Sequence, residues 1–115
     1  MKVIITEYFE KKFSKECKDI DIDFILKKII TESKNFISFK EPFFKVKIRT
    51  KTKSYRLIVN FEEDILKILF INIFDKKDKN LWENITWDLH KDLILKYYEK
   101  NLEDIEQWRY KVYEL

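Results

Sequence analysis

The chain has 115 residues, of which 45% are hydrophobic, 17% aromatic and 39% charged, and its formal net charge is +3. That apolar content is enough for one folded domain and excludes a disordered chain. A single cysteine excludes an internal disulfide, and the absence of glycine excludes every glycine-dependent phosphate loop.

Lys2–Ile5 is a short β-branched run and reads as a strand. Thr6 is placed to cap a helix, in which Phe9, Phe13 and Cys17 recur every fourth residue and form one apolar face. Asp19 or Asp21 caps a second helix, with a stripe of Ile22, Ile25, Leu26, Ile29 and Ile30. The gap between them is short, as in a helical hairpin. Pro42, the single proline, marks the end of a linker. Phe44–Thr50 reads as a strand. Tyr55, Leu57, Val59 and Phe61 alternate with Ser54, Arg56, Ile58 and Asn60 in the next one. A polar turn at Glu62, Glu63 and Asp64 leads to a nearly continuous apolar run, Ile65–Phe74, which fits a central strand buried on both faces. Asp75–Asn84 reads as a charged loop. Thr86 caps a third helix to about Lys100, and Leu102, Ile105, Trp108 or Arg109, and Val112 suggest further helical turns.

The expected fold is therefore α+β, a single domain over 1–115 in the order β-α-α-β-β-β-α. A helical hairpin packs on a mainly antiparallel sheet, and residues 101–115 form an extra C-terminal helical extension. The chain has no signal-peptide core and no apolar run near the roughly 20 residues that span a bilayer, so the expected location is cytoplasmic, away from membranes.

Charge is unevenly spread. Between Phe43 and Phe61 there are six basic residues and no acidic one: Lys45, Lys47, Arg49, Lys51, Lys53 and Arg56. The first five fall at every second position, so an extended backbone puts them on one face. Such a ladder suits a polyanion, with RNA the first candidate. One histidine, one cysteine and scattered carboxylates offer no metal-ligand spacing, and no metal or cofactor is expected. His90 reads as an ordinary helix residue, Tyr55 and Cys17 as core, and Trp82 and Trp87 as packing for the closing helix.

Four pieces resemble the RelE/ParE superfamily of toxins from type II toxin–antitoxin modules, and the RelE/HigB-like branch in particular. Val3-Ile4-Ile5-Thr6 with Phe9 and Phe13 is similar to its opening strand and helix. Lys47-Ile48-Arg49 followed by Lys53-Ser54-Tyr55-Arg56-Leu57-Ile58-Val59 resembles a basic strand and a Lys-Ser-Gly-Gly-Tyr-Arg pattern, here without the two glycines. Ile71–Phe74 followed by Asp75-Lys76-Lys77-Asp78-Lys79 resembles a strand ending in a lysine-rich segment, and Asn84-Ile85-Thr86 resembles the cap of the closing helix. The stretch from Lys79 to Asn84 is longer than the family pattern, as is the tail after Lys100.

The resemblance implies a metal-independent endoribonuclease, an mRNA interferase acting on the ribosome and so blocking translation. The ribose 2′-hydroxyl would attack the adjacent phosphate, which needs a proton acceptor, cations around the phosphorane and a donor to the leaving oxygen. It implies catalytic roles for Arg56, Lys76, Arg49 and Lys47, and RNA-backbone contacts for Lys45, Lys51, Lys53, Lys77 and Lys79. It also implies an antitoxin partner, with a helix-turn-helix or an acidic segment that covers the basic cleft. Two other functions fit the residues: a ParE-like inhibitor of gyrase, and a non-catalytic RNA-binding or interaction module.

Overall fold

In the computed structural model, which describes residues 1–31, 36–75 and 86–115, three helices pack on a six-stranded sheet. The elements in chain order are β1 (Lys2–Thr6), α1 (Glu7–Glu16), α2 (Ile22–Thr31), β2 (Phe36–Lys40), β3 (Phe43–Arg49) and β4 (Ser54–Glu62). A 3-10 turn (Glu63–Ile65), β5 (Lys67–Asp75), α3 (Trp87–Glu106) and β6 (Tyr110–Glu114) follow. The sheet order is β2-β3-β4-β5-β1-β6. All neighbours are antiparallel except β1 and β5, which α1, α2 and the strands β2–β4 separate in the chain.

Strand alternation divides the sheet into two faces. One carries Val3, Ile5, Val46, Ile48, Tyr55, Leu57, Val59 and Phe70, packed on Phe9 and Phe13 of α1 and Ile25 and Ile29 of α2. The helix residues sit at three- and four-residue spacings, but Ile30, expected in the α2 stripe, turns to solvent and is exposed. The other face carries Phe43, Ile58, Ile71 and Phe74 beneath Ile94 of α3, with Trp87, Leu93, Tyr97 and Tyr98 around them. Covered on both sides, β5 is buried from Ile68 to Phe74, as its unbroken apolar run requires.

Two of the three expected N-terminal caps form through their side chains; Thr86 stands at the N-cap of α3 but its side chain makes no capping hydrogen bond. The Phe9 N–H donates to Thr6 Oγ1 at 3.1 Å, and the Phe24 N–H donates to Asp21 Oδ1 at 2.9 Å. Asp21 therefore caps α2, and Asp19 has another role, described below.

Three segments depart from the sequence reading. The expected central strand from Ile65 starts only at Lys67; Ile65 ends the 3-10 turn, and it and Leu66 are exposed. The linker before Pro42 contains an edge strand, β2, paired with β3. Its sequence does not alternate, but Phe36 joins Phe44 and Phe61 in an aromatic triangle that only the folded sheet creates. The C-terminal tail is also different. Leu102 and Ile105 continue α3 to Glu106, but the helical turns expected at Trp108, Arg109 and Val112 are replaced by a left-handed Trp108 (φ 62°) and then β6. β6 pairs with β1 along its length, from Lys2↔Glu114 to Thr6↔Tyr110, satisfying an edge that would otherwise lie open. Most of the expected charged loop, residues 76–84, lies outside the described residues.

A cationic face on the sheet

Val46 and Ile48 point into the α1–α2 side, so Lys45, Lys47 and Arg49 project from the opposite face. On β4 the same alternation buries Tyr55 and Leu57 and turns Arg56 to that opposite face. The register sets Lys47 across from Arg56, Lys45 across from Ile58 and Arg49 across from Ser54. Four cations thus share one patch at the end of β3 and β4, next to Phe74, the cross-strand neighbour of Arg56 on β5.

The patch is electrostatically loaded. Burial, then the charges of Arg56 and Lys47, pushes the Lys45 ammonium below its ordinary pKa. Burial, then the charge of Arg49, does the same to Arg56. The Arg56 guanidinium is steadied from behind. Its Nη1 donates to Ser54 Oγ at 3.4 Å and to the Tyr55 carbonyl at 3.3 Å. Ser54 stands two residues before Arg56, which puts both on one face of the strand; that spacing is the sequence signal for this support.

Lys51 and Lys53 lie exposed in the β3–β4 turn. In place of glycines, Thr50 organises this turn. Its Oγ1 accepts from the Lys53 N–H at 3.0 Å and the Thr52 N–H at 3.3 Å, and its N–H donates to the Lys53 carbonyl at 2.9 Å. The turn is then fastened to the helical hairpin. The Tyr55 hydroxyl donates to Asp19 in the α1–α2 connection, and Thr50 Oγ1 reaches the same carboxylate at 3.5 Å. The Tyr55 hydrogen bond holds Asp19 below the usual carboxylate range, helped by the charge of Lys53. Burial, then the hydrogen bond to Asp19, pushes Tyr55 well above its ordinary value. The sequence offered Asp19 only as a cap. Its partner is 36 residues away, and nothing local marks the pair.

Lys76, Lys77, Lys79 and Trp82 lie outside the described residues. His90 sits in the first turns of α3, where its Nδ1 accepts from the Thr86 N–H at 3.2 Å, a capping contact. Trp87 stacks on Phe43 with ring centres 5.4 Å apart. Tyr97 and Tyr98 pack against the core beneath α3. Cys17 is buried, and burial, with the charges of Asp19, Glu16 and Asp75, pushes its thiol up to about 12, so it is no nucleophile at neutral pH.

Among the described residues no group of three or more His, Cys, Asp or Glu is placed to hold a metal ion. No helix among them is long and apolar enough to cross a membrane. No protein-family model matches this chain, and neither a curated protein nor a solved structure matches it.

Proposed function

We propose that this chain is a metal-independent endoribonuclease of the RelE/HigB kind, the toxin of a toxin–antitoxin pair, and that it engages mRNA through the cationic face of β3 and β4. The observation that carries this reading is the convergence of Lys45, Lys47, Arg49 and Arg56 on one face of two paired strands. Burial first, and the like charges of their neighbours second, lower the pKa values of Lys45 and Arg56, so both cations are held at a cost. A polyanion relieves it. Alternate strand residues repeat at about 7 Å, on the scale of neighbouring phosphates in an extended single strand. The family resemblance in the sequence supports the same reading, as does the Ser54 brace that holds the Arg56 fork ready for a phosphate.

In the reaction, the ribose 2′-oxygen loses its proton and attacks the adjacent phosphorus, the bond to the 5′-oxygen breaks, and the 5′-oxygen takes a proton from solvent, leaving a cyclic phosphate and a 5′-hydroxyl end. Arg56 clamps the phosphate, and Lys47 and Arg49 neutralise the phosphorane. Lys45 is the lysine of the patch we assign to accept the 2′-hydroxyl proton, because burial and the neighbouring charges of Arg56 and Lys47 ease the loss of its own. The sequence alone placed Lys45 only on the RNA backbone, since its partial burial follows from packing. Lys76 is assigned to the substrate by resemblance alone.

Induced expression followed by mapping of mRNA 5′ ends tests the proposal. New ends in translated transcripts, lost with Arg56→Ala, are expected. Intact transcripts alongside blocked DNA supercoiling would replace it with the gyrase reading. RNA binding with neither effect would leave a non-catalytic module.

A further inference from the structure

The other end of β3 and β4 carries the opposite charge. Glu41 in the β2–β3 turn and Glu62, Glu63 and Asp64 at the β4–β5 connection are all exposed. They rim a depression of about 410 Å³ floored by Pro42, Phe44, Phe61 and Ile65. A second depression of about 290 Å³ continues it toward α2, sharing Phe44, Phe61 and Glu63. The floor is aromatic and interlocked: the rings of Phe36, Phe44 and Phe61 lie 5.9 to 6.2 Å apart, centre to centre. Ile65, which lines the first depression, is 60% exposed, and the next residue in the chain, Leu66, is 54% exposed. None of the four carboxylates makes an ion pair with a described residue.

We propose that this groove docks a protein segment that presents lysine or arginine beside large apolar side chains. The two halves of the argument are independent. A ring-floored channel with exposed Ile65 and Leu66 loses solvent-exposed apolar surface only when an apolar partner enters it. Four exposed carboxylates line its rim, which favours a cationic partner and disfavours an anionic one. Nucleic acid is therefore turned away from this end, as is any acidic segment suited to the cationic face. The partner here is chemically distinct from the ligand of the strands' other end, and its binding does not depend on whether the cationic face cuts RNA.

The probe is a synthetic amphipathic peptide of leucine and lysine, titrated into the isotope-labelled full chain and followed by amide shifts. Two controls replace its lysines by glutamate or its leucines by serine. Saturable shifts confined to the two depressions, at Met1, Ile29, Phe36, 41–44, 61–66 and Ile68, are expected with the leucine–lysine peptide alone. The affinity falls by about tenfold or more in Glu62→Gln/Glu63→Gln/Asp64→Asn and in Ile65→Ser. Both variants alter exposed side chains, and their RNA binding should match that of the parent chain. Shifts elsewhere, equal binding of the serine peptide, or unchanged affinity in both variants would overturn the proposal. So would concentration-dependent self-association lost in the carboxylate variant, which would make the occupant a second copy of the chain.

Discussion

The Thr6 hydroxyl donates to the Asn101 side-chain oxygen at 2.6 Å, with both residues fully buried and 95 positions apart in the chain. Thr6 Oγ1 also accepts from the Phe9 N–H, so one side chain caps α1 and anchors α3. Asn101 completes the knot by donating to the carbonyls of Ile71 at 3.0 Å and Tyr97 at 2.7 Å. Ile71 is where β5 carries one extra residue against β4, between the pairs Ile58↔Asn72 and Val59↔Phe70. Replacing Asn101 with leucine keeps similar bulk and strands a buried hydroxyl. The expected loss is about 2–3 kcal/mol, read as a lower urea midpoint at unchanged slope. A loss below the error of the measurement would show that Thr6 finds another partner.

The Asp19–Tyr55 bond gives stability two pH limits. Asp19 is held below its ordinary value of about 4, so its contribution is present above that pH and is lost as pH falls through the lowered folded value. Tyr55 is raised above its ordinary value of about 10, so its contribution is present below that pH and declines above it as the unfolded chain ionises. Because Asp19 is exposed, the acid effect is modest. Tyr55→Phe should flatten both limbs, and Asp19→Asn the acid limb. Denaturant melts across the pH range check this. Unchanged limbs in Tyr55→Phe would assign them to other groups.

For the cationic face, Lys45→Arg separates charge from proton transfer. The variant retains a positive side chain, so RNA binding and its salt dependence should be nearly preserved, while cleavage falls by about 100-fold. Arg56→Ala should weaken binding itself and reduce the salt slope by about 0.7 for single-stranded RNA. Cleavage by the parent chain should rise with pH as Lys45 loses its proton. Full activity in Lys45→Arg would remove Lys45 as the proton acceptor.

With no glycine in the chain, two left-handed positions among the described residues fall to large side chains, Leu66 (φ 49°) and Trp108 (φ 62°). A left-handed conformation costs a side chain with a Cβ about 1–2 kcal/mol, partly offset in a glycine variant by the larger entropy of its unfolded chain. Leu66→Gly should therefore stabilise the protein by about 0.5–1 kcal/mol. Thermal denaturation measures it, and a lower melting temperature would show that Leu66 makes contacts worth more than the strain.

Arg109 ties the C-terminal strand down. Its Nε and Nη2 reach Asp104 Oδ1 at 3.1 and 3.0 Å, and Asp104 Oδ2 accepts from the Tyr8 N–H at 2.7 Å. Arg109→Ala leaves a nearly buried carboxylate with one partner fewer, at a cost of about 1–3 kcal/mol. Amide exchange should accelerate first in residues 110–114. Protection unchanged there would mean that the backbone pairing with β1 suffices.

Much of the fold was legible in local pattern. Period-four apolar residues marked α1 and α2, alternation marked β4, and the unbroken run to Phe74 marked a central strand, because these periodicities reflect how many faces of an element are covered. The cationic ladder was legible for the same reason: alternation alone puts Lys45, Lys47 and Arg49 on one side. What the sequence could not hold was anything fixed by distant partners. β2 exists because Phe36 meets Phe44 and Phe61, and β6 because β1 offers a free edge; neither run alternates cleanly. The register that sets Arg56 opposite Lys47, and the burial that lowers the Lys45 pKa, arise only when β3 and β4 pair beside Phe74. The latch from Tyr55 to Asp19 and the knot from Thr6 to Asn101 join residues 36 and 95 positions apart. Local propensity acts over a few residues, whereas hydrogen bonds and charge act through space, so the sequence determined which side chains were cationic and the tertiary structure decided which of them meet.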